Sequence, residues 1–369
     1  MYRRNILCLN VVLFLKKTFK EERIKIMANI SIIGGGSWGL AMALTLHKNS
    51  HNIRVWEHNP INVKKLLTER KNEAYLKNII FPDDIFFTND ITEVFLPDTE
   101  ILLFAVPSKF LRNTLKNIKQ YPESIRAVVS LVKGLEENTL KRMSEVISEE
   151  MEFVFHDKKA VSKKICCLSG PSHAEEVTKA IPTLVVVAGI DVEITEYVQN
   201  EFSNTFFRVY TSRDIVGVEI GAAVKNIIAI AAGVVSGLGY GDNTIGALLT
   251  RGLAEIKRLG CALNADPETF SGLSGLGDLV TTAISPHSRN RHVGYQLGKG
   301  KKLDEILKEM VMIAEGVETT KNIRDLKEKL KVSMPITEEM YQLMFKNKEP
   351  WQALADLMKR DLRNEIFYL

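Results

Sequence analysis

Cysteine is scarce in this sequence, and long apolar runs are missing. The 369 residues include four cysteines, none of them in a CxxC or Cys/His spacing typical of zinc sites. A disulfide-stapled scaffold is therefore excluded, and such low cysteine use is typical of a reducing cytosol. No apolar run is expected to reach the roughly 18–20 residues that cross a bilayer.

Strong charge of either sign is also lacking. The chain has 49 lysines and arginines and 45 acidic residues, a net charge of +4. Residues 1–26 hold seven basic and two acidic residues, whereas the other 343 hold 42 basic and 43 acidic. A nearly neutral body lacks the basic face that binds a phosphate backbone, so we expect no nucleic-acid partner.

Residues 1–26 differ from the rest in composition. Two arginines precede about ten mostly apolar residues, as in a signal peptide, but lysines follow instead of a small-residue cleavage site. We expect an extension outside the fold, from a possible upstream start, with Met27 opening the first domain. The expected location is the cytoplasm without stable membrane insertion; a variant tethered by residues 5–15 is the alternative.

The rest of the chain predicts an α/β protein of two domains, since roughly 150 residues form a typical domain. The predicted strands are Asn29–Ile33, Asn52–Trp56, Ile101–Val106, Ala127–Val132, Ile165–Leu168 and Leu184–Val187. Their continuous apolar character indicates a doubly wound, Rossmann-type sheet of parallel strands. Twelve of the 23 glycines lie between residues 211 and 280, which places the domain boundary there: 27–210 and 211–369.

A glycine fingerprint follows the first predicted strand. Gly34, Gly36 and Gly39 form G-x-G-x-x-G between a strand and a helical stretch, a context that favours dinucleotide binding over a structural turn. Glu57 ends the second strand, where an acid would bond the ribose of NAD, while His58 and Arg54 could instead meet the 2′-phosphate of NADP. All three could also be solvated residues at a strand end, so both coenzymes stay open.

A single lysine marks the second half. Lys225 is the only charged residue between Glu219 and Asp242, and small residues share its helix face. A lysine is almost never fully buried without a partner, so this one indicates either a site that needs an ammonium group for carbonyl reduction or a side chain that reaches solvent.

Two polar loops follow Lys225. The glycine-rich turn before Asp278 lets backbone approach a ligand and aims a carboxylate that can accept from hydroxyls or from Lys225. Ser288, Arg289 and Asn290 offer a hydroxyl, a guanidinium and an amide, and arginine pairs bidentately with phosphate. An exposed loop of ordinary composition is the alternative.

Two further clusters follow predicted strands at the carboxyl edge of the sheet, where open α/β sheets bind ligands. Lys133 could contact a phosphate or carbonyl, and Ser172, after Gly170, could bond a hydroxyl. Either residue could instead serve only the local turn, without contacting a ligand. His173 is expected to be a structural hydrogen-bonding residue.

Together these segments resemble one family. GGGSWG, KGLE at 133–136, SGPSHAEEV at 169–177, VEIGAAVKNIIAIAAG at 218–233, SGLSGLGDLVTT at 271–282, SRNR at 288–291 and AEGVETT at 314–320 come in the order seen in bacterial biosynthetic NAD(P)-dependent glycerol-3-phosphate dehydrogenases. The resemblance covers the chain from Met27 to about Glu339. Residues 1–26 are outside the family's pattern.

The resemblance implies a cytoplasmic enzyme, often a homodimer, that reduces dihydroxyacetone phosphate to sn-glycerol 3-phosphate for phospholipid synthesis, with an all-helical second domain and a cleft between domains. Lys225 matches the family's catalytic lysine. The matching substrate contacts are Lys133, Gly170, Ser172, Lys225, Asp278, Ser288, Arg289 and Asn290. The coenzyme contacts, fingerprint glycines included, are Gly34, Gly36, Ser37, Trp38, Gly39, His58, Lys133, Ala174, Arg289, Ile313 and Glu315.

Alternative functions share part of this pattern. Another two-domain Rossmann dehydrogenase, of the 3-hydroxyacid or 6-phosphogluconate type, would have the fingerprint and a helical lysine but would not need the SRNR loop. A dinucleotide-binding sensor without catalysis would keep the glycines and tolerate loss of Lys225.

Overall fold

The structure is a computed structural model that describes residues 27–155, 157–362 and 364–365. The predicted extension 1–26 lies outside the described residues. Within them, eight strands form one sheet: β1 Asn29–Ile33, β2 Asn52–Trp56, β3 Phe86–Thr88, β4 Thr99–Phe104, β5 Ala127–Ser130, β6 Ile165–Ser169, β7 Thr183–Gly189 and β8 Phe207–Ser212.

The sheet has the strand order β3-β2-β1-β4-β5-β6-β7-β8. Its first six positions follow the doubly wound dinucleotide-binding order, in which ligands bind beyond the carboxyl ends of the strands. The prediction was wrong in two respects: the direction of one strand pair and the number of strands. The pair β6–β7 is antiparallel, with Cys167 opposite Ala188, and β3 and β8 were missed because β3 has three residues and β8 alternates buried and exposed positions.

Helices cover the sheet and form the second half of the described chain. Those of the first half are α1 Ser37–His47, α2 Pro60–Thr68, α3 Leu111–Asn117, α4 Met143–Phe155, α5 Lys158–Lys164, α6 Ala174–Val177 and α7 Val192–Phe202. Those of the second half are α8 Ile215–Gly237, α9 Asp242–Ala262, α10 Asp278–Ile284, α11 Arg289–Gly298, α12 Leu303–Glu309, α13 Glu315–Leu330, α14 Pro335–Phe345 and α15 Pro350–Met358. The predicted fold class, a Rossmann-type sheet followed by helices, is confirmed.

Helix α8 is the centre of the helical half. Asp214 caps it by accepting from the backbone N–H of Gly217 at 2.8 Å, and α9, α10, α11 and α13 all pack on it. Close packing needs small residues: a Cβ at Gly233 would collide with the backbone of α11. This packing places Lys225 in the middle of a core of helices.

The expectation that no apolar run is long enough for a membrane was wrong in its literal form. Among the described residues, the helix Ile215–Gly237 has the length and composition of a membrane span. However, 94% of its apolar 18-residue stretch is buried inside the protein. Burial on all sides explains an apolar helix in a folded core equally well. The pattern therefore reflects packing of α8 against its neighbours.

Candidate active site

The carboxyl ends of β1, β4 and β5 and the helices of the second half enclose a cleft of about 650 Å³. Fifteen of the predicted site residues line it: Gly34, Gly36, Ser37, Trp38, His58, Lys133, Ser172, Ala174, Lys225, Asp278, Ser288, Arg289, Asn290, Ile313 and Glu315. The fold thus brings into one cavity residues that span 282 positions of sequence.

Two predicted residues, Gly39 and Gly170, do not line the cleft. A Cβ at Gly39 would collide with the carbonyl oxygen of Gly34, so this glycine allows α1 to pack closely against the turn after β1. Gly170 has φ +146° and lies against Val185, a backbone conformation that side chains disfavour. Both glycines therefore serve backbone packing next to the site.

Lys225 is buried, with 4% of its surface exposed. Its ammonium group donates to the Asp278 carboxylate at 2.7 Å and to the Thr282 hydroxyl at 2.6 Å. An ammonium has three N–H donors, and these two bonds leave one for a ligand in the cleft. The sequence-based alternative of a lysine that reaches solvent is therefore wrong.

Burial lowers the pKa of the Lys225 ammonium to about 7, because the attraction of Asp278 offsets only part of the desolvation and Lys133 adds repulsion. The proton of Lys225 is therefore exchangeable near neutral pH, unlike that of a solvated lysine. General acid–base catalysis is most efficient when the pKa lies near the operating pH.

Asp278 joins the two lysines of the cleft. Its carboxylate accepts from Lys225, from Lys133 at 3.0 Å and from the Ser169 hydroxyl at 3.2 Å. Burial raises the pKa of this carboxyl, but the two ammonium groups outweigh burial and hold it below its usual range. Asp278 is therefore ionised and fixes the position of Lys225.

Residues 288–290, predicted as a loop, form the start of α11 and line the cleft. The Arg289 guanidinium donates to the carbonyl of Ile313 at 3.0 Å, which leaves most of its five donors for other partners. Ser288 caps α11 by accepting from the N–H of Arg291 at 3.2 Å. The Asn290 amide bridges Asn226 on α8 and the N–H of Gly316 on α13, each at 2.9 Å.

Sequence reasoning missed three residues that build this site. Thr282 lies four positions after Asp278, on the same helix face, a spacing that could have identified it. Asn226 follows Lys225 and holds Asn290. Ser108, after β4, donates its N–H and hydroxyl to the Glu315 carboxylate at 3.1 and 2.6 Å, a contact between distant segments that no local pattern reveals.

Such a cleft beside a doubly wound sheet is characteristic of dinucleotide-dependent dehydrogenases. Comparison with known families gives a more specific result. The model of the N-terminal part of NAD-dependent glycerol-3-phosphate dehydrogenase matches residues 29–195, and the model of its C-terminal part matches residues 214–355. The chain belongs to this family and is an NAD(P)-dependent oxidoreductase.

Individual relatives agree. A glycerol-3-phosphate dehydrogenase [NAD(P)+] from Fusobacterium nucleatum is 46% identical over 340 residues, 92% of this chain and 99% of the relative. One from Geobacillus kaustophilus is 46% identical over 341 residues, 92% and 97% of the two chains. The solved structure of glycerol-3-phosphate dehydrogenase from Coxiella burnetii has a TM-score of 0.84 at 32% identity, covering 90% of this chain and 99% of its own.

The residues present fit a nicotinamide dinucleotide. Gly36 caps α1 without a side-chain bond to its first N–H groups, and nothing lies within 4 Å of where its Cβ would be, as a bound pyrophosphate requires. Trp38 Nε1 lines the same wall, buried and with no hydrogen-bond partner in the described part of the chain. An unsatisfied buried donor is costly unless a ligand satisfies it.

Proposed function

We propose that this protein reduces dihydroxyacetone phosphate to sn-glycerol 3-phosphate with NAD(P)H, reversibly, in glycerophospholipid synthesis. The observation that carries the proposal is that Lys225 and Arg289 line one cleft together with the glycine turn. A three-carbon phosphate offers a carbonyl to the first side chain and an anion to the second. The names of the relatives support the same substrate.

Lys225 acts as the proton donor in reduction and the acceptor in oxidation. The nicotinamide, when bound, supplies the hydride that reduces the ketone carbon. Lys225 offers its third N–H to the ketone oxygen, stabilises the negative charge that develops there, and transfers its proton. Asp278 and Thr282 hold the ammonium in place during this step, so little reorganisation is needed when the charge appears.

Arg289 binds the substrate phosphate, and Ser288 and Asn290 complete that end of the site. The phosphate is remote from the reacting carbon, and charge-assisted bonds to the phosphate supply binding energy that orients this carbon. The other substrate contacts that we propose are Lys133, Ser172 and Asp278, whereas Gly170 does not line the cleft. The proposed coenzyme contacts are Gly34, Gly36, Ser37, Trp38, His58, Lys133, Ala174, Arg289, Ile313 and Glu315, with Gly39 allowing the close packing of α1 behind the glycine turn.

We also propose a cytoplasmic homodimer whose two domains are residues 27–210 and 211–369. The family resemblance supports location and subunit number. The change from strands to helices falls between Ser212 and Ile215, two residues beyond this boundary, which lies within β8.

The phosphate role of Arg289 is tested with two substrates. We expect Arg289→Ala to raise KM for dihydroxyacetone phosphate about 10- to 100-fold, because a charge-assisted bond contributes about 1.5–3 kcal/mol. At saturating coenzyme, the rate with unphosphorylated dihydroxyacetone should fall far less, because this substrate has no phosphate for Arg289 to bind. Steady-state assays of coenzyme absorbance measure both.

Arg291→Ala is the matched control, since Arg291 lies two residues further along α11 and outside the lining of the cleft. It should leave KM unchanged. An unchanged KM in Arg289→Ala would place the phosphate elsewhere, and turnover of a 3-oxo acid without turnover of dihydroxyacetone phosphate would refute the proposed reaction.

A further inference from the structure

Glu57, at the end of β2, is buried against the glycine turn. It is 2% exposed, and its N–H donates to the carbonyl of Thr88 at 2.9 Å, which fixes the strand end. A Cβ built on Gly35 would come within 2.7 Å of Glu57 Oε2. The missing side chain of Gly35 thus makes room for this carboxylate in the wall of the cleft.

One oxygen of the carboxylate is held by the protein. Oε1 accepts from the N–H of Asn59 at 3.1 Å and from Asn62 Nδ2 at 3.4 Å, and it lies 3.1 Å from His58 Nδ1. Among the described residues, the hydrogen bonds to Glu57 all involve Oε1. Oε2, the oxygen beside Gly35, is left to accept from a ligand.

The nearby arginine is turned to other partners. The Arg54 guanidinium donates twice to the carbonyl of Glu93, at 3.1 and 2.6 Å, and lies 3.7 Å from the centre of the Phe86 ring. It does not line the cleft. A coenzyme site built for a 2′-phosphate usually places an arginine here.

The lysines and arginines that do line the cleft, within the described ranges, have partners in the helical half. Lys133 and Lys225 both donate to Asp278, and Arg289 donates to Ile313. Beside Glu57 the cleft therefore offers a fixed carboxylate and one exposed imidazole, that of His58.

We propose that Glu57 selects NADH over NADPH in this protein. In this fold a ribose of NADH binds at the end of β2, and Glu57 Oε2 accepts from its 2′-hydroxyl. In NADPH that hydroxyl bears a phosphate of about −1.5 to −2 charge, which the buried carboxylate repels. The inference rests on the proposed function only for its coenzyme and is independent of the role of Lys225.

Coenzyme binding without substrate tests the inference. We expect the purified full chain to bind NADH about 10- to 100-fold more tightly than NADPH, as measured by nicotinamide fluorescence. Glu57→Gln keeps the shape and removes the charge, and it should reduce that ratio by about tenfold, mainly through tighter NADPH binding. Arg54→Ala, the matched control, should leave the ratio unchanged because this guanidinium lies outside the cleft.

Wild-type protein that binds NADPH as tightly as NADH overturns the inference, whether or not the variants fold. So does a Glu57→Gln variant that binds NADH but keeps the wild-type ratio. A wild-type preference for NADH without turnover of dihydroxyacetone phosphate would refute the proposed reaction and leave the assignment of Glu57 intact.

Discussion

Lys225→Met should lower kcat for reduction of dihydroxyacetone phosphate by about 10²- to 10⁴-fold, the usual contribution of a positioned general acid. Methionine has a similar length and no charge, so it fits the apolar surroundings of α8. Asp278 keeps Lys133 as its partner at 3.0 Å. Circular dichroism and coenzyme binding should therefore match wild type while turnover is lost.

Lys327→Met is the matched control for this variant. Lys327 is also buried, at 8% exposure, but it pairs with Glu328 and Glu338 and does not line the cleft. We expect a change in stability without a comparable change in kcat. Near-normal turnover of Lys225→Met would remove Lys225 from the reaction.

Asp278→Asn should lower the free energy of unfolding by about 3 kcal/mol at pH 7, because it leaves the buried Lys225 ammonium and the partly exposed Lys133 ammonium without their counter-charge. The amide has nearly the same shape, so the loss reports charge and hydrogen bonding. Chemical denaturation of wild type and variant measures it. The double variant Lys225→Met/Asp278→Asn should recover part of the stability, since the buried ammonium is then absent.

The pH dependence of this destabilisation has a definite sign. Burial depresses the pKa of folded Lys225 to about 7, below that of an unfolded lysine, so the unfolded state binds more protons and stability rises with pH between the two values. Without Asp278 the pKa of Lys225 in the folded state falls further, so protonation of Lys225 disfavours folding at lower pH as well. The difference between wild type and Asp278→Asn should therefore grow below pH 7; a difference that shrinks there would contradict the pairing.

The sequence predicted the positions of the apolar strands better than their bounds. Strands β1 and β2 have the predicted bounds, whereas β4 begins and ends two residues before the predicted ones. Strand β8 was missed because it lies at an edge of the sheet and its residues alternate between buried and exposed. The antiparallel β6–β7 pair was not foreseen because apolar content does not encode strand direction.

Within the site, the sequence indicated which residues could carry chemistry but not how they are paired. Lys225 was recognisable as an isolated charge in an apolar helix, and Asp278 was recognisable as a possible partner. Their distance of 2.7 Å depends on how α8 packs against α10. The Ser108–Glu315 contact joins residues 207 positions apart, which local patterns cannot link.

The pH dependence of kcat/KM in both reaction directions tests the proton role of Lys225 most directly. The protonated form serves reduction and the neutral form serves oxidation, so reduction should fall and oxidation should rise as pH increases through about 7. Lys225→Met should lack both transitions, which separates them from ionisation of the substrate phosphate. Profiles that move in the same direction, or that persist in the variant, would contradict proton transfer by Lys225.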